Sequence, residues 1–132
     1  MTRILAPLTS LVLGCIPVLF AGCSNPRKID YSVASLRETL RKDKDPNMRY
    51  WAAQSLGKFG DKAGEAVPDL IEALRDEDKM VRMGAGYALG ELGPTAGEAV
   101  PALQEASKDP EQDVRDAATS ALKQIRQKGT RR

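Results

Sequence analysis

Few of the side chains that carry chemistry are present in this chain, and their spacing limits what they can do. There is no histidine, so the group that most readily exchanges a proton near neutral pH is missing. Cys15 and Cys23 are the only thiols, and Cys15 lies inside an apolar run. No glycine-rich phosphate loop follows a strand pattern. Asp76, Glu77 and Asp78 form one acidic cluster of the kind that holds a hard divalent cation. The matching turns, however, read Asp43-Lys44-Asp45 and Asp109-Pro110-Glu111, and carboxylates at helix starts are explained by capping and by the helix dipole. We therefore expect no metal, no cofactor and no catalytic residue. Arg49, Arg82 and Arg115 recur at one interval and look available for anions.

The first residues point to export. Met1-Thr2-Arg3 carries one positive charge, and an acid-free, mostly apolar run follows from Ile4 to Phe20, the shape of a secretory signal. A permanent transmembrane helix would want about 20 apolar residues, and this run is interrupted by Pro7, Thr9, Ser10 and Pro17. Phe20-Ala21-Gly22-Cys23-Ser24 resembles the lipobox of bacterial lipoproteins, with Phe20 where leucine is usual. The resemblance implies that residues 1–22 are removed and that Cys23 is acylated; the other reading is ordinary cleavage near Ala21 or Gly22 that leaves the thiol free. Once Cys15 leaves with the signal no internal disulfide can form, and acylation removes an otherwise unpaired thiol. Two or three acyl chains exceed the single chain that gives only marginal anchoring. By the same resemblance, Ser24 in place of the aspartate that retains lipoproteins at the inner membrane implies an outer-membrane location facing the periplasm. Residues 23–30 form a short tether. Ser24 to Asp30 spans at most about 23 Å, with Arg27 and Lys28 either touching anionic headgroups or simply solvated.

The mature part is built from repeats. Met48 to Leu70 and Val81 to Leu103, offset by 33, share twelve identities in 23 positions, and Val81, Arg82, Ala85, Ala88 and Leu89 recur as Val114, Arg115, Ala118, Ala121 and Leu122. Upstream, Leu36 and Leu40 match Leu70 and Leu74 at an offset of 34. Val67, Leu70, Ile71 and Leu74 mark one apolar stripe, and Val81, Ala85, Ala88, Leu89 and Leu92 mark a second, both at helical spacing. Asp78 is placed to cap the second helix of its copy, and Asp45-Pro46 and Asp109-Pro110 are expected to supply a cap followed by proline in the other two. Gly60 and Gly93 should end the second helices. No alternating β-branched run appears.

Acidic turn, Val-Arg, spaced alanines, Leu-Gly and Gly-Glu-Ala-Val-Pro together resemble HEAT repeats, in particular the short variety also found in phycobilin lyases. The resemblance implies an all-α fold, a short α-solenoid of three helix pairs at about 31–62, 63–95 and 96–127, preceded by a signal helix and followed by a basic tail at 128–132. It also implies that Arg49, Arg82 and Arg115 form a structural ladder with acidic residues of neighbouring turns, Asp45 and Asp78 among them. In the last copy Leu74, Gly86 and Gly90 become Ser107, Thr119 and Lys123, which suits a terminal capping repeat and a complete array. Arg126 to Arg132 is expected to fray.

Function is then expected on the concave face, which in HEAT arrays is lined by the second helices. The outward column there runs Tyr50, Gln54, Lys58, then Met83, Tyr87, Glu91, then Asp116, Ser120, Gln124. Tyr50, Trp51, Gln54, Met83, Tyr87, Glu91 and Asp116 are the candidate contacts for a protein or peptide partner. Trp51 has two readings, an interface anchor or a core residue folded over the open N-terminal edge. A formal charge of +2 from 20 basic and 18 acidic residues argues against a nucleic-acid binder. The expected protein is a non-enzymatic, membrane-anchored interaction module, monomeric or weakly self-associating. The alternative, from the lyase resemblance, is a subunit of an enzyme complex that handles a chromophore or small molecule.

Overall fold

Side-chain caps set three of the six α-helix starts. The computed structural model describes residues 31–131, and among them are six α-helices, two 3-10 segments and no strand. Helix α1 (Val33–Lys42) begins at Ser32, whose hydroxyl accepts from the Ser35 N–H. Helix α2 (Pro46–Lys58) begins at Asp45, which accepts from the Asn47 N–H at 2.9 Å, with Pro46 at the first position, where a missing N–H costs nothing. Helices α3 (Val67–Ala73), α4 (Lys79–Leu92), α5 (Val100–Ala106) and α6 (Gln112–Thr130) follow. Asp78 caps α4, taking the N–H groups of Met80 at 2.8 Å and Val81 at 3.2 Å.

The third copy departs from the expected cap. Glu111, not Asp109, stands at the start of α6, its side chain makes no capping bond, and Pro110 precedes the helix. Register explains this, because Asp109 follows Asp76 by the repeat interval whereas Asp78 is matched by Glu111.

Gly60 and Gly93 adopt φ of 57° and 62°, a conformation that carries a Cβ penalty for other residues. From each glycine a seven-residue 3-10 segment, Gly60–Ala66 or Gly93–Ala99, leads to a Val-Pro step that opens the next α-helix. Each first helix of copies two and three is therefore a short α-helix entered through a 3-10 run. The sequence stripes do not reveal this division.

The predicted apolar stripes form the core. Val67, Leu70, Leu74, Val81, Ala85, Ala88, Leu89 and Leu92 are buried, joined by Leu36, Leu40, Leu56, Leu103, Ala118, Ala121 and Ile125. Each fully buried leucine contributes about 2 kcal/mol, but their arrangement decides the shape. The second helices α2, α4 and α6 pack on one another along their length, while the first helices touch each other much less. The stack is a short α-solenoid whose copies join chiefly through α2, α4 and α6, here termed its inner helices. Small residues allow the approach: a Cβ on Gly57 would lie 2.9 Å from the Ala88 Cα, and one on Gly90 would lie 3.0 Å from the Ala121 Cα.

The two ends differ from the middle. At the register position of Gly84 and Ala117 the first copy has Trp51, and at that of Gly57 and Gly90 the third copy has the exposed Lys123. The expected tail from 128 is not a separate segment, since α6 continues through Thr130. Ile125 is buried, and Lys128 lies over Gly93 and donates from Nζ to the Glu91 carbonyl at 3.1 Å, which holds the last turn. The signal helix, Cys23 and the tether lie outside the described residues. No helix among the described residues is long and apolar enough to cross a membrane.

Candidate interaction surface

The recurring arginines turn inward to the loops. Arg49 grips Asp76 with two parallel bonds, Nε to Oδ2 and Nη2 to Oδ1, both at 2.9 Å, and its Nη1 donates to the carbonyls of Asp43 at 2.9 Å and Lys44 at 3.3 Å. Arg82 repeats this one copy later. Its Nε and Nη2 hold Asp109 at 2.9 and 3.2 Å, and its Nη1 donates to the carbonyls of Asp76 and Glu77 at 2.9 and 3.2 Å. Such bidentate pairs are the stronger class of charged hydrogen bond. Held by Asp76, the Arg49 guanidinium is pushed further above its ordinary range. Each arginine thus closes its own turn and ties it to the next copy.

The ladder's acids are Asp76 and Asp109. Asp45 and Asp78, expected among them, are occupied as helix caps, because a carboxylate that caps its own helix points along that helix and not toward the preceding copy. Asp76 and Asp109 stand at the repeat interval, a signal as regular as that of the arginines. At the last rung Arg115 keeps the bonds to the carbonyls of Asp109 and Pro110, at 2.7 and 2.8 Å, and its Nη2 donates to the Gln112 Oε1 in place of a following aspartate. The acidic cluster is absorbed in the same way: Asp76 in the ladder, Asp78 in the cap, and Glu77 turned out with its side chain 90% exposed. Among the described residues no group of three acidic or thiol side chains is placed to hold a metal ion. A second tie carries no repeat signal, since Ala102 stands one interval on: Asp69, nearly buried on α3, accepts from Arg37 of α1 and lies 3.7 Å from Arg41.

This ladder carries a pH dependence. Burial alone would raise the Asp109 carboxyl, but the Glu111 N–H and the Arg82 guanidinium outweigh it and hold the group below its ordinary value of 3.8. A depressed carboxylate stabilises the fold fully above the unfolded value and loses that contribution as pH falls through the folded one. Acid titration of denaturant midpoints should therefore show stability falling below pH 3.8. Asp109→Asn should have a lower plateau at neutral pH and a flatter acid limb; an unchanged limb would assign the acid transition to other carboxylates.

On the inner side the column residues form three rows across α2, α4 and α6: Tyr50, Met83, Asp116; Gln54, Tyr87, Ser120; Lys58, Glu91, Gln124. Tyr50 is only partly exposed, because its ring lies against Gly84, where an added Cβ would come within 2.7 Å of it, and its hydroxyl accepts from the Gln54 Nε2 at 2.6 Å. Met83 is likewise half-buried. Asp116 is exposed and accepts from the Gln112 Nε2 at 2.7 Å. Tyr87, in the centre, is 42% exposed. With Gln54, Lys58, Ala88 and Glu91 it lines an open groove of about 290 Å³ between the first and second copies. Trp51 is not in this column. It projects to the N-terminal end of the stack, half-buried against the core, with its ring 5.6 Å from that of Tyr31 in an edge-to-face contact.

Helix pairs repeating every 33 or 34 residues, stacked through their second helices and tied by Arg49 and Arg82, agree with the comparison to known families. The family model for HEAT repeats matches residues 33–126. The chain belongs to the HEAT-repeat family. In this HEAT-repeat array the repeating residues are spent on capping, the ladder and the core, which is the make-up of a non-catalytic scaffold. The inner face varies from copy to copy. No curated protein matches the chain.

Proposed function

We propose that this HEAT-repeat chain is a membrane-anchored interaction module without catalysis of its own. It is held by acyl chains on Cys23 in the cell envelope, at the outer membrane facing the periplasm, and it binds a protein or peptide partner on its inner face. The observation that carries the binding site is Tyr87, an exposed aromatic ring at the centre of the nine-residue face, over a groove with Gln54, Lys58 and Glu91 at its walls. An aromatic anchor ringed by hydrogen-bonding groups is the usual centre of a protein contact. Asp116, Met83 and Tyr50 flank the ring. The Ala-Gly-Cys-Ser sequence at 21–24 supports the anchor and its destination. Lys123 at the C-terminal end, in place of the glycine through which inner helices approach, favours a monomer.

Crosslinking from native membranes followed by mass spectrometry tests the site. Tyr87→Ala should weaken capture of the crosslinked partner at least about tenfold and leave the melting curve within a few degrees of the parent, because the ring is not part of the core. Capture unchanged by Tyr87→Ala and Glu91→Ala would move the site off this face. Labelling cells with radioactive palmitate tests the anchor separately: incorporation should be lost in Cys23→Ser.

A further inference from the structure

We infer that the N-terminal end of the solenoid, built around Trp51 and Tyr31, is a membrane-docking surface that lies on the lipid headgroup region. This rests on the anchored reading above.

Among the described residues no helix pair precedes the first copy, which leaves this surface open. In α4 and α6 the residues turned toward the preceding helix are Val81, Gly84 and Ala88, and Val114, Ala117 and Ala121, all small or core-forming and all buried. The matching residues of α2 are Met48, Trp51 and Ser55, none of them fully buried. A mere cap against water would be polar, as Thr119 and Lys123 are at the other end. Here the end carries a thioether and an indole, and Tyr31 stands edge-on to the indole while remaining 59% exposed. Tryptophan and tyrosine combine an apolar body with a polar tip and settle at the boundary between hydrocarbon and water.

Two further observations select lipid over protein as the occupant. The chain enters the fold at Tyr31, on this same end, and only seven residues separate it from Cys23. A contour of about 23 Å keeps the aromatic pair near an acylated cysteine. Charge is also segregated along the array. Residues 31–60 hold six Lys and Arg against three Asp and Glu, whereas residues 61–116 hold six against fourteen. An anionic bilayer attracts the first copy and repels the middle of the array. The far tail, 117–132, is also basic, with five Lys and Arg and no acid, but it has neither the aromatic pair nor the short link. Docking by the first copy would leave the groove at Tyr87 open to solutes above the membrane.

Trp51 is the only tryptophan, so its emission reports this surface alone. The full lipidated protein, extracted from membranes, would be reconstituted into phosphatidylethanolamine–phosphatidylglycerol vesicles, with and without bromine on the acyl chains near the headgroup. Brominated lipid should quench Trp51 about twofold, and Tyr31→Glu combined with Lys44→Glu should reverse most of that quenching while the protein still floats with the vesicles. Flotation with unquenched emission overturns the docking and leaves the anchor standing, with the end then covered by residues 24–30, a second copy or another protein if the emission is blue-shifted. Failure to float, together with no palmitate on Cys23, overturns the anchored reading and the docking with it.

Discussion

Asp76→Ala is expected to lower the stability of the array by about 3 kcal/mol, the low end for breaking a buried charge pair. The side chain takes both bonds of the Arg49 fork and also accepts the Asp78 N–H at 2.9 Å. Arg49 is 8% exposed, so once the carboxylate is gone its charge keeps the carbonyls of Asp43 and Lys44, the solvated Glu77 at 3.7 Å and the weaker field of Asp78. A domain of this size is held by about 5–15 kcal/mol in total, so the melting temperature should fall by roughly 15 °C. Asp76→Asn, which keeps one acceptor oxygen but loses the charge and sets an amide NH2 against the fork, should fall between. Arg49→Met with Asp76→Leu should recover much of the loss, because an apolar pair leaves no buried charge. A drop under about 1 kcal/mol for Asp76→Ala would place the rung among exposed ion pairs, which contribute little.

Much of this architecture is legible in the residues, for a specific reason. Within a copy, helix and core follow from spacing alone, and the 33-residue interval carries each assignment to the next copy; Val81, Ala85, Ala88, Leu89 and Leu92 all follow from that logic and all are buried. Contacts between copies obey a different rule. Whether Arg49 reaches Asp45, Asp76 or Asp78 depends on how far one helix pair is rotated and shifted on the next, and no periodicity states that. The ladder's arginines are therefore legible, and its acids are not, because capping carboxylates stand only two positions further along. Trp51 is a related case. One residue from Tyr50 is a turn of about 100° on a helix, enough to move a side chain from the inner face to the end of the stack, so its neighbour's exposure says little about it. The 3-10 segments at Gly60–Ala66 and Gly93–Ala99 were hidden because their buried alanines, Ala63, Ala66, Ala96 and Ala99, fit either kind of helix.

The inner helices offer the sharper test of how the copies are held together. Gly90→Val is expected to destabilise the protein by about 3 kcal/mol, although glycine is a poorer helix former than valine. A Cβ there meets the Ala121 Cα at 3.0 Å and its Cβ at 3.3 Å, and the obstacle is helix backbone that cannot rotate away. Strain of this kind has to move α6 as a whole. Because each copy of a repeat array contacts only its neighbours, the damage should stay local. Amide exchange in α5 and α6 should rise before that in α1 and α2, and the single unfolding transition should broaden or split. Lys123 occupies the same register one copy later and is exposed, with no further helix packed on it among the described residues, so Lys123→Gly should cost no more than the intrinsic helix penalty of about 1 kcal/mol. Gly129→Ala, with nothing within 4 Å of the added Cβ, should be neutral or stabilising. If Gly90→Ala behaves like Gly129→Ala, α4 and α6 have room to separate, and the alanines and glycines along them would be no more than an absence of bulk. If it destabilises despite alanine's advantage of about 1 kcal/mol, close approach of the inner helices is what sets the spacing of the copies, and with it the width of the face around Tyr87.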